Sequence, residues 1–390
     1  MEQDIYTRLC KLTMQSDELM ENNLSFFLFV SEIIRIFADG AEKIQKEADR
    51  FNTSLIINKN RTTMRKTIVT LVAVCAVMTA DATILRVSNV NGSTAPYQTI
   101  LAAHDAAREG DTIMVDGSDI EYELTEITKR LVLIGPGYWI NENGIVDEAA
   151  PSAKVQFTVK KGAAGTVIEG FSTNNRINAA FRINADNCVV RRCYITSSSY
   201  YGVQFGRDDT DDPAPSGAVV QQNYFKNCNV SGWQITMTNV LISNNIFAHE
   251  DMTAYDIANI SSSQIEYNTM FCTDENSSWK NFASVHTSTI EHNILWNPDV
   301  WYSAISILDD NEKSDNYTGN IISPAEVNTD KDVKTAETTM SEGKYGAFAG
   351  DSPYVLSGIP AAPVIEDLVV PTSVEAGSKM KVTIKVGIQK

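Results

Sequence analysis

The sequence predicts an all-β solenoid, a coil of short parallel strands stacked rung upon rung, on three observations. First, near-identical phrases recur: QIEYNTMF at 264–271 is followed by TIEHNILW at 289–296. Aligned on Asn268 and Asn293, the pattern extends to VIEGFS, VVRRCYI, VVQQNYF, LISNNIF and YTGNII. These place Gly170, Cys193, Asn223, Asn245 and Asn320 in the same slot, at steps of 23, 30, 22, 23, 25 and 27 residues. Second, an apolar or aromatic residue stands three positions before every slot: Val167, Val190, Val220, Ile242, Ile265, Ile290 and Tyr317. Third, triplets that read apolar–polar–apolar or nearly so lie between the slots: FRI (181–183), VQF (203–205), WQI (233–235), YDI (255–257), ASV (283–285) and ISI (305–307). That alternation marks short strands with one buried face. A period in the low twenties leaves no room for a long helix, and rungs about 4.8 Å apart complete one another's backbone hydrogen bonds.

In chain order, residues 1–63 contain an apolar stretch, LSFFLFVSEIIRIF, interrupted by Glu32. From Met64 the chain reads MRKTIVTLVAVCAVMTADA. Arg65 and Lys66 form a basic start, Ile68 to Met78 an apolar centre, and Ala80, Asp81 and Ala82 a small-residue cleavage site. This is the layout of a secretory signal peptide, too short to span a bilayer. A signal peptide belongs at the start of a chain, so residues 1–63 are expected to lie outside the mature protein and 64–82 to be removed. Of the cysteines that then remain, Cys188, Cys193, Cys228 and Cys272 show no metal-ligand spacing. They read as buried apolar thiols, since a domain this large does not depend on disulfides.

The segment YQTILAAHDAAREGDTIMVDGS (97–118) reads as a short Ala-rich helix followed by a strand, with Ile100, Ala103 and Ala107 on one helical face and Gly110 as its stop. Such a helix would cover the open first end of the coil. LVLIGPGYW (131–139) is an early rung, and the coil is expected over 83–330. Residues 331–390 form a different tail. YGAFAGDSPYVLSGIPAAP (345–363) is a Gly/Pro-rich crossing, and VIEDLVV (364–370) and KMKVTIKV (379–386) flank a turn containing Pro371 and Gly377. A hairpin sealing the far end is the expectation.

With this repeat and this opening segment, residues 84 to about 325 resemble the secreted right-handed parallel β-helix proteins of the pectin-lyase-like superfamily. The resemblance implies a single-stranded right-handed parallel β-helix with an N-terminal capping helix and a C-terminal hairpin cap. It also implies a bacterial protein that is secreted, periplasmic or on the cell surface, with its ligand on the outside of the coil.

The recurring Asn has a structural reason, because amides stacked at a corner can hydrogen-bond up and down the coil. The formal net charge of −17 argues against nucleic acid and anionic membrane as partners. A polysaccharide or glycan, met by a monomer, is the expected partner. The outward residues of the triplets form one column, Arg182, Gln204, Gln234, Asp256, Ser284 and Ser306. A second reads Asn184, Gly206, Thr236, Ala258 and His286. A polar, sparsely charged face suits a sugar chain, and equally any solvated sheet. The longest step holds GRDDTDDPAPSG (206–217), whose Asp208, Asp209, Asp211 and Asp212 are candidate Ca²⁺ ligands. Trp279, Trp296, Trp301 and Tyr302 lie in late loops where rings can stack on sugars. Gln204, Gln234, Trp279 and Trp301 are the candidate substrate-binding residues.

Two chemistries fit such a face. A uronate lyase needs a cation and a base, for which Arg182 is placed near the acidic loop. A glycoside hydrolase needs two carboxyls. Asp256 is expected two rungs from Asp208 and Asp209, about 9–10 Å, compatible with inversion. His286, expected one rung beyond Asp256, would tune its pKa. GRDD is similar to the paired-Asp motif of polygalacturonases, but the Gly-His-Gly and Arg-Ile-Lys marks of those enzymes are absent; RIN (182–184) comes nearest, and NTD (328–330) lies outside the rungs. Two readings therefore stay open: a polysaccharide lyase or glycoside hydrolase with Arg182, Asp256 and His286 as catalytic residues, and a non-catalytic adhesin or scaffold. Convergence of Arg182, the acidic loop, Asp256 and His286 in one cleft separates them.

Overall fold

The computed structural model describes residues 82–145, 150–174, 179–206, 212–249, 255–272, 280–295, 307–318, 327–360, 363–369 and 383–388. Residues 82–390 form one compact unit. The expectations for residues 1–63 and for the signal peptide up to Asp81 lie outside the described residues.

The chain winds into a parallel solenoid with three sheets. Sheet A has ten strands among the described residues, from Ile84–Val87 through Val167–Glu169, Val189–Arg191, Val219–Gln221, Leu241–Ser243, Gln264–Glu266 and Thr289–Glu291 to Glu312–Ser314. Sheet C has six, from Tyr194–Thr196 to Tyr317–Thr318, and sheet B has eight, including Phe181–Ile183, Tyr201–Phe205, Asn229–Gly232, Tyr255–Ser261 and Lys280–His286. Every pairing within them is parallel, each strand lying beside its counterpart one turn on. The inward column of sheet A runs Leu133, Ile168, Val190, Val220, Ile242, Ile265, Ile290, each at most 1% exposed. On sheet C, Phe225 and Phe247 stack at 4.6 Å between centroids. Each such side chain contributes on the order of 2 kcal/mol by leaving water.

A short helix, α1 (Ile100–Ala106), precedes the early rungs, and Ile100, Ala103 and Ala107 are its buried face as expected. Thr99 caps it by accepting the Ala102 amide. In the tail, Pro363–Val369 pairs antiparallel with Thr383–Ile388, so a hairpin forms. It begins three residues after Pro360, which lies against Gly170, so it starts beside an early rung rather than at the far end it was expected to seal. A second helix, α2 (Asp330–Ser341), was not expected. Its start is written as a capping box, Thr329 with Asp332. Its buried side carries Asp330, Val333 and Glu337, so the apolar stripe that announces a helix is broken by two carboxyls.

The repeat needs three corrections. Ile168, not Val167, pairs with Val190, so the slot of that rung is Phe171 rather than Gly170. The last slot is Asn316 rather than Asn320: Lys313 pairs with Ile290, and Asn316 Oδ1 accepts from Asn293 N and Nδ2, both at 3.0 Å. Lys313, exposed although in register with the inward column, disguised that rung. Finally, the triplets after VQF are out of register. Val203 pairs with Val230, Val230 with Ile257 and Ile257 with Phe282, so the column reads Arg182, Gln204, Ser231, Ala258, Ala283. The offsets are three residues at WQI, two at YDI and one at ASV, and the left-handed residues Gln234 and Ser284 interrupt the alternation, so alternation alone cannot fix the register.

The asparagine slots form a continuous ladder. Asn245 Nδ2 donates to Asn268 Oδ1 (2.9 Å) and Val220 O (2.9 Å), and Asn268 Nδ2 to Asn293 Oδ1 (3.0 Å) and Ile242 O (2.8 Å). The residue before each slot turns the corner in the left-handed region: Arg192, Gln222, Asn244, Tyr267, His292 and Asp315 have φ of 48–58°. For residues other than Asn this costs about 1–2 kcal/mol each.

The tail offsets part of that cost. After α2 the chain turns back along this corner as a strap, against the direction in which the coil grows. Tyr345 Oη donates to Asp315 and Gly346 N to His292 O. Ala347 and Ala349 carbonyls accept from Asn244 Nδ2, those of Ser352 and Pro353 from Gln222 Nε2, and that of Ile359 from Arg192 Nη1. Tyr138 N then donates to Ser357 O (2.8 Å). Gly346 (φ +85°) is required: a Cβ there would lie 2.5 Å from Ile294 Cδ1 and 2.8 Å from Glu337 Oε2. Glu337 is the anchor, accepting from Thr269 Oγ1, Ala347 N (3.3 Å) and Phe348 N (3.1 Å).

Cys188, Cys193, Cys228 and Cys272 are free and buried. Burial pushes the Cys188 thiol up to about 11 and Cys193 to about 12, and raises Cys228 as well. Native protein is therefore expected to leave all four thiols unmodified by a chromogenic disulfide reagent until denaturant is added. A thiol titrating rapidly under native conditions contradicts this packing.

Candidate functional site

Sheet B carries the face to which the sequence points. Phe181 and Ile183 face inward, which turns Arg182 out to solvent. Its Nη2 donates to Gln204 Oε1 at 3.1 Å, so the first two expected residues do meet. Gln204 is 2% exposed, pinned under the guanidinium. Ser231 follows in the next rung, then Ala258 and Ala283, so the column loses its polar character. Gln234 is not in this column. It lies beyond the strand at φ 54°, exposed.

Asp256 and His286 do not come together. Asp256 is fully buried, its Oδ1 2.5 Å from His249 Nε2 and its Oδ2 accepting from Asn281 Nδ2 at 3.2 Å. His286 pairs in register with Ser261, is exposed, and has Nδ1 3.0 Å from Asp310 Oδ2. The expected pKa tuning of Asp256 by His286 thus has no geometric basis. The register shift is the cause, because it moves His286 along the strand from Asp256. Asp212 is ion-paired with Lys161. Asp208, Asp209, Asp211, Trp279 and Trp301 lie outside the described residues. No group of three or more His, Cys, Asp or Glu among the described residues is arranged to hold a metal ion.

Residues outside the expected set complete the face. Tyr201 pairs in register with Asn229, and Trp233 packs edge-to-face on Tyr201 with centroids 5.4 Å apart. Trp233 is 45% exposed. Asn229, in register with Tyr201, and Ser231, in register with Gln204, carry buried side-chain oxygens without a hydrogen-bond partner, Oδ1 and Oγ. The sequence contained a sign of this: Trp233 opens the WQI triplet, and only the assumed register turned it inward.

No family model matches the chain, and no curated protein matches it. Among solved structures, it is similar to the pectin methylesterase from Aspergillus niger at 15% identity, over 62% of this chain and 86% of that one, with a TM-score of 0.24. A pectin methylesterase mutant in complex with a hexasaccharide is similar at 14% identity, over 71% of this chain and 100% of that one, also with a TM-score of 0.24.

Proposed function

We propose that the protein is an exported polysaccharide-binding β-helix protein whose sheet-B face receives a chain containing uronate units. The observation that carries this reading is the exposed Trp233 ring, packed on half-buried Tyr201, together with two buried side-chain oxygens with no partner. Sugar rings present an apolar face to stack on aromatics and hydroxyls to satisfy lone acceptors. Arg182, with one nitrogen held by Gln204 and the rest of its guanidinium exposed, suits a uronate carboxylate.

Binding without turnover, as in an adhesin or scaffold, is favoured by the sealing of Asp256. A carboxylate held by His249 and Asn281 and wholly buried cannot reach a glycosidic oxygen. Lyase chemistry at Arg182, with Ca²⁺ on the acidic loop, is the competing reading.

Affinity electrophoresis of the purified protein in gels containing uronate or neutral polysaccharides, with and without Ca²⁺, tests the proposal. Retention by a uronate polysaccharide is expected, and Trp233→Ala or Arg182→Ala should weaken it at least about tenfold. Ultraviolet absorbance and reducing-end assays on the same mixtures should stay silent. Unsaturated product lost in Arg182→Ala would establish the lyase instead, and absence of retention by every polysaccharide would remove the proposal.

A further inference from the structure

A cleft of about 360 Å³ lies at the early rungs, away from the residues of the sheet-B face, lined by Trp139, Tyr194, Asp119, Glu142 and Lys154 among others. This is within the size range of small-ligand sites. Trp139 is half-buried and wedged between aromatic neighbours: Tyr194 at 4.7 Å, Tyr224 at 5.0 Å and Tyr138 at 5.4 Å between centroids. Asp119 and Glu142 are exposed and Lys154 is half-buried. None of these three charged side chains makes a hydrogen bond or ion pair among the described residues, whereas Lys160, Lys161 and Lys313 all do.

A second observation points to the same place. Trp139 sits at φ 48°, a left-handed backbone that a bulky side chain rarely takes. The strain is held by a purpose-built set of bonds. Asn143 N donates to Trp139 O (2.9 Å) and Ser357 Oγ to the same carbonyl (3.1 Å). Asn143 Nδ2 in turn donates to Asp330 Oδ1 and Ser357 Oγ, both at 2.7 Å, and Ser357 N to Asp330 Oδ2 at 2.7 Å. Asp330 and Ser357 are completely buried. The same left-handed turn recurs at the corners of the coil, so what sets Trp139 apart is this buried bond set rather than its φ alone. Here the start of α2 and the end of the strap together fix one indole in a polar cleft.

We infer that this cleft is a second binding site, for a neutral sugar ring. The aromatic wall offers a surface for the apolar face of the ring. Two carboxylates and an ammonium without partners offer acceptors and donors for its hydroxyls. The charges of Asp119, Glu142 and Lys154 sum to −1, so a uronate would meet net repulsion and a neutral ring would not. The protein would then grip a heteropolysaccharide at two chemically different points.

Isothermal titration of the full protein with cellohexaose, xylohexaose and mannohexaose, beside hexagalacturonate, decides the matter. At least one neutral hexasaccharide is expected to bind, with affinity at least tenfold lower in Trp139→Ala and in the double variant Asp119→Ala/Glu142→Ala. The double variant removes only exposed side chains, so an unchanged melting temperature separates lost binding from lost folding. Hexagalacturonate binding should survive Trp139→Ala. The inference is overturned if no neutral hexasaccharide binds, if binding is unchanged in both variants, or if Trp139→Ala abolishes hexagalacturonate binding instead.

Discussion

Replacing Asn268 with Ala is expected to destabilise the coil by about 4 kcal/mol, among the largest effects a single substitution can have here. Asn268 is completely buried and sits in the interior of the ladder, so it works in both directions. Its Oδ1 accepts from Asn245 N at 3.0 Å and from Asn245 Nδ2 at 2.9 Å. Its Nδ2 reaches Ile242 O at 2.8 Å, Glu266 O at 3.0 Å and Asn293 Oδ1 at 3.0 Å. Truncation leaves the Asn245 amides and the Ile242, Glu266 and Asn293 acceptors without this buried partner. Urea unfolding of the two proteins measures the loss. A difference below about 1 kcal/mol would mean that the rungs relax into each other and the ladder is dispensable.

The second large effect is a pH dependence. Burial pushes the Glu337 carboxyl up from 4.5 to about 7, against the lowering influence of its bonds from Thr269, Phe348 and Ala347. The folded protein therefore holds this proton where the unfolded chain releases it. The associated stability is fully present below pH 4.5, declines as pH rises towards about 7, and is flat above that. A shift of this size corresponds to about 3 kcal/mol. Other carboxyls titrate in the same range, so the informative quantity is the difference between wild type and Glu337→Gln. Glutamine keeps an acceptor for the strap amides and cannot ionise. Denaturant midpoints taken from pH 4 to 8 should fall more steeply for wild type than for Glu337→Gln. Parallel curves would show that the carboxyl ionises freely and that the strap is not tied to its proton.

The coil was legible from the sequence because its signals are redundant. Ile242, Ile265 and Ile290 recur at the same offset from asparagines that bond to one another, and each rung repeats the message. The sheet-B face was less legible. Val203, Val230, Ile257 and Phe282 share one inward column, but the left-handed residues Gln234 and Ser284 interrupt the period-2 alternation that would have revealed it. The bulge at Gly202 and the unequal corners decide the register, and neither leaves a pattern. Hence Arg182 and Gln204 were placed side by side, whereas Asp256 and His286 were not. His249 could not be anticipated as the partner of Asp256, since the contact bridges two sheets. The helix α2 escaped because Asp330 and Glu337 sit where apolar residues would have announced it. Trp139 and Trp233 illustrate a further limit: both owe their presentation to local backbone geometry rather than to residue spacing.

The backward course of residues 345–359 changes the mechanics of the molecule. A bare solenoid is a one-dimensional array in which each repeat feels only its neighbours, so its ends fray independently. Here the same short segment grips corners from Asp315 down to Arg192 and Tyr138. Peeling the last turns would drag on the first ones. Loss of any one grip weakens its neighbours along the strap, which turns a stack of nearly autonomous units into an object that melts as a whole. Because that segment is synthesised late, the corner can be clasped only after almost the entire coil has left the ribosome. A chain truncated before residue 345 would retain every rung and yet lose that all-or-none behaviour.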